Sequence, residues 1–229
     1  VLTINPKSVK ATIQPVKVTY GETPVVDADL GDTADELSPS DFEVIDALTG
    51  KAVSSTQLQV KGNYMVQYTA AAQADFKKDG NYQFDSFGTA GVTVTPKAIT
   101  VTAQDAGKAY GNQADPTLAL TSASSAGLVN GDKLTDLAVK LTRVAGENAG
   151  EYTIQQDSPS TLNPNYQVTV TPGTFTITKL PVTVKVADAN KIYGDADPTF
   201  TLNDAAQAVL VKGDSLADLG GVTYTRAVG

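Results

Sequence analysis

Residues 110–116 read Tyr-Gly-Asn-Gln-Ala-Asp-Pro, and this Tyr-Gly motif occurs three times along the chain. Residues 193–198 read Tyr-Gly-Asp-Ala-Asp-Pro, and residues 20–24 carry a shorter copy, Tyr-Gly-Glu-Thr-Pro. The tyrosines that open successive copies are 90 and 83 residues apart. Periods of this length predict a tandem array of domain-sized repeats, each able to bury its own core, rather than a short-period solenoid.

The segments around the motif recur with it and set the predicted boundaries. The segment from Leu128 to Leu137 matches that from Leu210 to Leu219, but nothing matches residues 147–178 in the third repeat. The third repeat therefore predicts that the chain is part of a longer protein. The predicted organisation is the last strand of a preceding repeat or a linker over 1–6, a divergent β repeat over 7–96, a complete repeat over 97–179 and a truncated repeat over 180–229.

The composition excludes several kinds of site. The chain has no Cys and no His, which removes disulfides, thiolate and imidazole metal ligands, and the common His-based catalytic triads. The formal net charge of −8 disfavours nucleic acid as a partner. No apolar run approaches the roughly 20 residues that span a bilayer, so we expect no membrane insertion. We also expect no enzymatic activity and no cofactor.

The local pattern is typical of β-strands. Apolar and threonine residues alternate in many segments, for example from Ile99 to Ala103 and from Val182 to Val186. Such period-2 patterns predict strands with one buried face. Because the junction at residues 93–97 is short and contains a proline, we expect the repeats to be arranged end to end with little slack.

The fold within each repeat has two alternatives. An Ala-rich segment at residues 203–210 and its weaker counterpart at 122–128 interrupt the β pattern. A short helix there, between strands, would give a β-grasp-like domain, which is our first prediction. A loop there would give an immunoglobulin-like β-sandwich, which is the alternative.

The residues of the Tyr-Gly motif have a structural interpretation. Glycine after a strand permits positive φ at a turn, and tyrosine can bury its ring while its hydroxyl stays hydrogen-bonded. Aspartate before proline is held extended and can accept backbone N–H bonds, and proline fixes φ where the next strand begins. The motif residues are Tyr20, Gly21, Tyr110, Gly111, Asp115, Pro116, Tyr193, Gly194, Asp197 and Pro198.

Two ligand-binding interpretations stay open beside the structural one. In the motif, the tyrosine could stack on a carbohydrate, and Asp188, Asp195 and Asp197 could form a calcium loop, although they do not match the twelve-residue pattern. The divergent first repeat concentrates aromatic residues, which are either core residues or a ligand surface. The candidate ligand contacts are Tyr64, Tyr82, Phe84 and Phe87.

The second repeat resembles a domain of the MBG type. It carries the Tyr-Gly motif, then Leu-Val-Asn-Gly-Asp at 128–132, Thr-Arg-x-Ala-Gly-Glu-Asn at 142–148 and Asn-Pro-Asn-Tyr at 163–166, in that order. Such domains are repeated in cell-surface adhesins, notably the mucus-binding proteins of lactobacilli. The resemblance implies a secreted, cell-wall-attached protein of a Gram-positive bacterium, with mucin or host glycans as targets.

Three functions follow as hypotheses. The chain is a repeat segment of an extracellular adhesin, monomeric within a longer chain, and acts as a semi-rigid stalk that displays adhesive regions. Alternatively, the first repeat binds mucin, host glycans or immunoglobulin directly. A glycan-active enzyme is the least favoured hypothesis, because no acidic pair recurs outside the turn motifs.

Overall fold

A computed structural model describes residues 2–33, 35–111, 114–157, 162–203, 210–211, 213–220 and 222–227. The chain is mainly β and contains several small sheets, which confirms the prediction of tandem small β domains. The strands are β1 (Lys7–Ile13), β2 (Val16–Thr19), β3 (Ala28–Asp29), β4 (Phe42–Asp46), β5 (Tyr64–Tyr68), β6 (Tyr82–Phe87), β7 (Thr89–Thr95), β8 (Lys97–Thr102), β9 (Ala106–Ala109), β10 (Leu141–Arg143), β11 (Gly150–Gln156), β12 (Tyr166–Thr171) and β13 (Gly173–Thr178).

The first two repeats are built in the same way. In the first repeat, β1 pairs in parallel with β6, and β2 pairs in parallel with β7. In the second repeat, β8 pairs in parallel with β12, and β9 with β13. In each of these repeats, the last two strands therefore pair with the first two. The sheet orders are β3-β1-β6, β2-β7-β5-β4, β12-β8 and β10-β11-β13-β9.

The compact units of the structure do not follow the repeat boundaries. One unit contains the whole first repeat together with β8, β12 and the middle of the second repeat. The first unit comprises Val1–Ala103, Ala119–Thr142 and Gln155–Pro172, and the second comprises Gln104–Leu118, Arg143–Ile154 and Gly173–Gly229. The predicted boundaries thus describe the sequence period, whereas the packed bodies combine parts of successive repeats.

The core of the first unit is continuous between two repeats. The alternating apolar residues of β2, β5 and β7 lie in the same buried cluster as those of β8 and β12. Because residues such as Lys17, Gln67 and Thr100 occupy the alternate positions, each strand presents one apolar face to this cluster. The fully or nearly buried members include Val18, Tyr20, Leu58, Val66 and Tyr68 of the first repeat and Ile99, Val101, Leu137 and Tyr166 of the second.

The α-helix of the described residues lies outside the segments predicted to be helical. Helix α1 (Ala70–Phe76) begins after Thr69, whose hydroxyl accepts a hydrogen bond from the Ala72 N–H at 3.2 Å. Alanine favours helix, so the sequence carried a signal for this element that the prediction missed. The predicted segment at 122–128 is a 3₁₀ helix (Ser122–Gly127). In the segment at 203–210, residues 204–209 lie outside the described residues.

The joint between the first two repeats is one residue long. Pro96 alone separates β7 from β8, and the Lys97 N–H donates to the Asn165 carbonyl oxygen at 2.9 Å. At the start of the chain, residues 2–6 have no regular secondary structure. Within the described residues, no helix has the length and apolarity needed to cross a lipid bilayer.

Candidate functional site

Tyr20 of the first repeat binds a turn of the second repeat. Its backbone N–H donates to the Thr95 carbonyl oxygen at 2.9 Å, which fixes the residue at the end of β2. Its ring is only 4% exposed, and its hydroxyl donates to Asp132 Oδ2 at 2.9 Å. The arrangement of Tyr20 and Gly21 against Val129 and Asp132 is called the first clasp below.

The turn in the first clasp has a hairpin-type geometry. The Asp132 N–H donates to the Val129 carbonyl oxygen at 3.0 Å. Between them, Asn130 and Gly131 have φ values of 57° and 83°. Two successive positive φ values are the mark of a type I′ turn, for which Asn-Gly is the preferred pair. The turn presents the Asp132 carboxylate to Tyr20.

Tyr166 completes the first clasp from the second repeat. Its hydroxyl donates to Asp132 Oδ2 at 2.7 Å and accepts from the Val129 N–H at 3.0 Å. Its ring meets the Tyr20 ring edge-on, with centroids 5.3 Å apart. Burial, together with the Asp132 carboxylate, raises the pKa of Tyr166 to about 12. Both tyrosine hydroxyls are therefore protonated donors that share one carboxylate.

Gly21 is required by the close approach of Val129. A Cβ atom at Gly21 would lie 2.4 Å from Val129 Cγ2, and the residue has φ of +84°. Real Cβ atoms do not occupy contacts that short, and side chains rarely adopt this backbone conformation. The glycine of the motif therefore makes room for the valine of the next repeat in addition to permitting the turn.

Tyr110 and Gly111 form a second clasp with the third repeat. The Tyr110 hydroxyl donates to Asp214, with both carboxylate oxygens at 3.1 Å. Gly111 has φ of +88°, and a Cβ there would lie 2.4 Å from Val211 Cγ2. The Asp214 N–H donates to the Val211 carbonyl oxygen at 3.0 Å, as in the first clasp. The same four residue types thus meet twice, and each time the tyrosine belongs to the earlier repeat.

The aspartate of the motif has partners other than those predicted. Among the described residues, the Asp115 carboxylate contacts Lys108 Nζ at 2.8 Å and Arg143 Nε at 2.6 Å, and no backbone N–H donates to it. Glu147 contacts the same two cations, each at 2.5 Å. Hydrogen bonds from Arg143 and then from Lys108 lower the pKa of Asp115 to about 2. We call these four residues the charged cluster.

Arg143 connects the charged cluster to the apolar side of the sheet. Its guanidinium carbon lies 4.7 Å from the centre of the Phe175 ring and 5.4 Å from that of Tyr152. The Arg143 side chain is 9% exposed and that of Lys108 only 4%, so both cations are largely withdrawn from water. A buried cation needs such partners, and here two carboxylates supply them.

The third repeat contains an equivalent of the charged cluster. Asp197 contacts Lys191 Nζ at 2.8 Å and Arg226 Nε at 2.5 Å. The lysine partner was not predicted, although it precedes the tyrosine of the motif by two residues in both repeats. The prediction that Pro116 and Pro198 open strands is wrong, because no strand follows either residue directly.

The predicted aromatic ligand contacts are used mainly for packing. Phe84 and Phe87 stack on each other with centroids 5.0 Å apart, and both pack against the core. Tyr64 is 8% exposed, and its hydroxyl accepts from the Gln59 N–H at 3.1 Å. Tyr82 is half-buried and donates to the Asp32 carbonyl oxygen at 2.9 Å. Tyr64, Phe84 and Phe87 therefore lie in or against the core, and Tyr82 lies at its edge.

The proposed calcium loop finds no cluster of ligands in the structure. Among the described residues, no group of three or more Asp, Glu, His or Cys side chains is placed to hold a metal ion. Of the three candidate residues, Asp197 is bound by two cationic side chains, as described above. Asp195 offers its backbone carbonyl oxygen to Lys191 Nζ at 2.9 Å.

Comparison with known families agrees with the repeat pattern. The family described as MBG domain (YGX type) matches residues 99–176 and 182–229, which together are more than half of the chain. No curated protein matches the chain. The two matched segments contain the Tyr-Gly motifs at Tyr110 and Tyr193, and the family is one of adhesin-type binding repeats rather than of enzymes. The chain therefore belongs to the MBG domain family.

Proposed function

We propose that the chain is a repeat segment of an extracellular cell-surface adhesin and acts as a semi-rigid stalk that displays adhesive regions. The observation that carries this proposal is the packing of the first repeat against the second. The first clasp, the continuous buried cluster and the one-residue joint at Pro96 all connect these two repeats. A joint that buries apolar surface resists bending, whereas a flexible linker would leave the repeats free to turn.

Asn165 adds a second hydrogen-bonded connection at the same joint. It is 7% exposed, and its side-chain Oδ1 accepts from the Val60 N–H of the first repeat at 2.9 Å. Its own carbonyl oxygen accepts from Lys97, the first residue of β8. One buried residue of the second repeat thus satisfies a backbone donor on each side of the joint. Breaking the joint would exchange these two hydrogen bonds for bonds to water and expose the apolar surface around them, which opposes bending.

Stiffness at this joint is tested by measuring a distance distribution. The chain has no cysteine, so Leu48→Cys and Thr169→Cys place two spin labels at exposed sites on either side of the joint. Pulsed electron–electron double resonance should give a single narrow distribution of the distance between the two labels, and Asn165→Ala should broaden it. A broad distribution in the labelled chain without that substitution would contradict a semi-rigid stalk.

A second function, direct binding by the first repeat, is favoured by one cavity. It has a volume of about 470 Å³ and is lined in part by Pro24, Val26, Leu37 and Phe42. At its edge, the Val25 side chain is 86% exposed. A cavity with apolar walls and a few polar groups is a common setting for a ligand, and mucin, host glycans or immunoglobulin are the candidate partners.

A binding experiment separates the two functions. The intact chain is tested at high concentration on immobilised mucin, a glycan array and immunoglobulin. A stalk gives no signal, whereas direct binding gives a signal that Val25→Lys abolishes. Leu48→Lys is the matched control, because Leu48 is 83% exposed in the same repeat and does not line the cavity. Binding that both variants retain would place the contact elsewhere on the chain and exclude this cavity.

A further inference from the structure

The third copy of the Tyr-Gly motif has positive φ at its glycine like the other two, but within the described residues no turn is bound to it. Gly194 has φ of +92°, close to the values at Gly21 and Gly111. The Tyr193 side chain is fully exposed, and no described atom lies within 4 Å of a Cβ placed at Gly194. The equivalent positions in the two clasps are filled by a valine side chain and an aspartate carboxylate.

The surroundings of the third motif are already formed. Asp197 pairs with Lys191 and Arg226, just as Asp115 pairs with Lys108 and Arg143 in the second repeat. The Asp195 N–H donates to the Ile192 carbonyl oxygen at 3.1 Å, which closes the turn around Tyr193. The exposed Tyr193 hydroxyl and the unobstructed Gly194 therefore lie beside a turn whose ion pairs are already formed.

We propose that Tyr193 and Gly194 bind the Leu-Val-x-Gly-Asp turn of a further MBG repeat that follows on the same polypeptide. The two clasps show which contacts to expect: the tyrosine hydroxyl donates to the aspartate carboxylate, and the valine side chain packs against the glycine. The order along the chain is also given, because the tyrosine comes from the earlier repeat both times. This inference concerns the connection between repeats and does not depend on what the adhesin binds.

A second copy of this chain is a poorer occupant. Its two Leu-Val-x-Gly-Asp turns are already engaged, since Asp132 is bound by Tyr20 and Tyr166, and Asp214 is bound by Tyr110. Association between copies would have to break one of these clasps to form another. A further repeat on the same polypeptide brings a turn that no tyrosine of an earlier repeat already holds.

The test uses a chain extended by one period. Residues 147–229 are appended after Gly229, because Arg226 and the residues after it align with those from Arg143 to Gly146. The extension completes the third repeat and supplies one more Leu-Val-x-Gly-Asp turn. The appended copy of Tyr193 is changed to Phe, because an unbound copy in an identical peptide would be nitrated as well. Nitration of exposed tyrosines, read by mass spectrometry, should then modify Tyr193 in the original chain but not in the extended chain. Tyr20 is the protected reference in both chains.

A double-mutant cycle tests the hydrogen bond itself. In the extended chain, Tyr193→Phe should lower the equilibrium constant for folding of the third repeat about threefold to tenfold, the range for one hydrogen bond. The same loss should follow from changing the appended copy of Asp214 to Asn, and the two losses should not add. In the original chain, Tyr193→Phe should have no effect.

Three results would overturn the proposal. Tyr193 could remain as reactive in the extended chain as in the original while Tyr20 stays protected, which shows that the chain is folded but the turn is not bound. The two substitutions could be fully additive. The extended chain could protect Tyr193 only when it dimerises, as measured by sedimentation, which would assign the turn to another polypeptide.

Gly194→Ala should expose Tyr193 again in the extended chain and leave the original chain unchanged in its nitration pattern.

Discussion

The first clasp predicts that Gly21→Ala is strongly destabilising for two separable reasons. The residue has φ of +84°, and a left-handed conformation costs an alanine about 1–2 kcal/mol. The new Cβ would also lie 2.4 Å from Val129 Cγ2 and 2.7 Å from Val129 Cβ. Forcing an extra carbon into a packed site costs about 1–3 kcal/mol more. The free energy of unfolding of the first unit should therefore fall by about 2–5 kcal/mol.

Gly50→Ala is the matched control for the backbone contribution. Gly50 lies in the same repeat and has φ of +70°, but nothing lies within 4 Å of its Cβ position. Its substitution should cost only the left-handed term, about 1–2 kcal/mol. Native-state hydrogen exchange of the β5 amides in the intact chain measures both variants, because these amides report the stability of the first unit.

The contact with Val129 is isolated by a third variant. Val129→Ala removes both Cγ atoms and leaves the Cβ atom, so it should recover part of the loss in the Gly21→Ala background. The recovery appears as an interaction free energy between the two positions. If Gly21→Ala and Gly50→Ala cost the same amount, or if Val129→Ala recovers nothing, then close packing at the clasp does not explain the glycine.

Three further predictions concern the charged cluster and the joint. The pKa of Asp115 is about 2, below the ordinary value of 3.8. The ion pairs of Asp115 therefore stabilise the second unit fully above about pH 4, and this stabilisation is lost as the pH falls through 2. Asp115→Asn should remove this part of the pH dependence of the free energy of unfolding, measured by urea unfolding. Arg143→Lys should destabilise the second unit by about 0.5–2 kcal/mol in the same assay, because lysine cannot lie flat on Phe175, and an unchanged midpoint would contradict this. Asn165→Ala should cost about 1–3 kcal/mol and speed hydrogen exchange at Val60, whose N–H would lose its acceptor; unchanged exchange there would show that the bond is not needed.

The sequence predicted the local features of the fold well. The period-2 pattern located β8, and the glycines of the Tyr-Gly motif do have positive φ. The same pattern from Val182 to Val186 wrongly predicted a strand, because this segment forms only an isolated bridge between Val186 and Leu202. The Asn130-Gly131 pair forms the type of turn that this dipeptide favours. These features depend on residues that are neighbours in the sequence, where steric preference and alternation act directly.

The partners of the motif could not be predicted from local patterns. Tyr20 and Asp132 belong to different repeats. The Tyr-Gly motif and the Leu-Val-x-Gly-Asp motif recur at the same period, so a contact between them within one repeat and a contact between successive repeats give the same sequence pattern. Recurrence of both motifs was the available signal, but it does not say which copy pairs with which. The lysine of the charged cluster was missed for the same reason, since Lys108 meets Asp115 and Glu147 only after the strands have paired.

The chemical equivalence of the two clasps has a consequence for the number of repeats. Tyr20 and Tyr110 accept turns of the same residue types, Val-x-Gly-Asp, in the same orientation. If recombination removed residues 97–179, the turn ending at Asp214 would take the place of the one ending at Asp132. Arrays of this kind can therefore gain or lose whole periods, and so change length, without leaving a tyrosine unpaired. Loss of part of a period would break the register and separate a glycine from its valine.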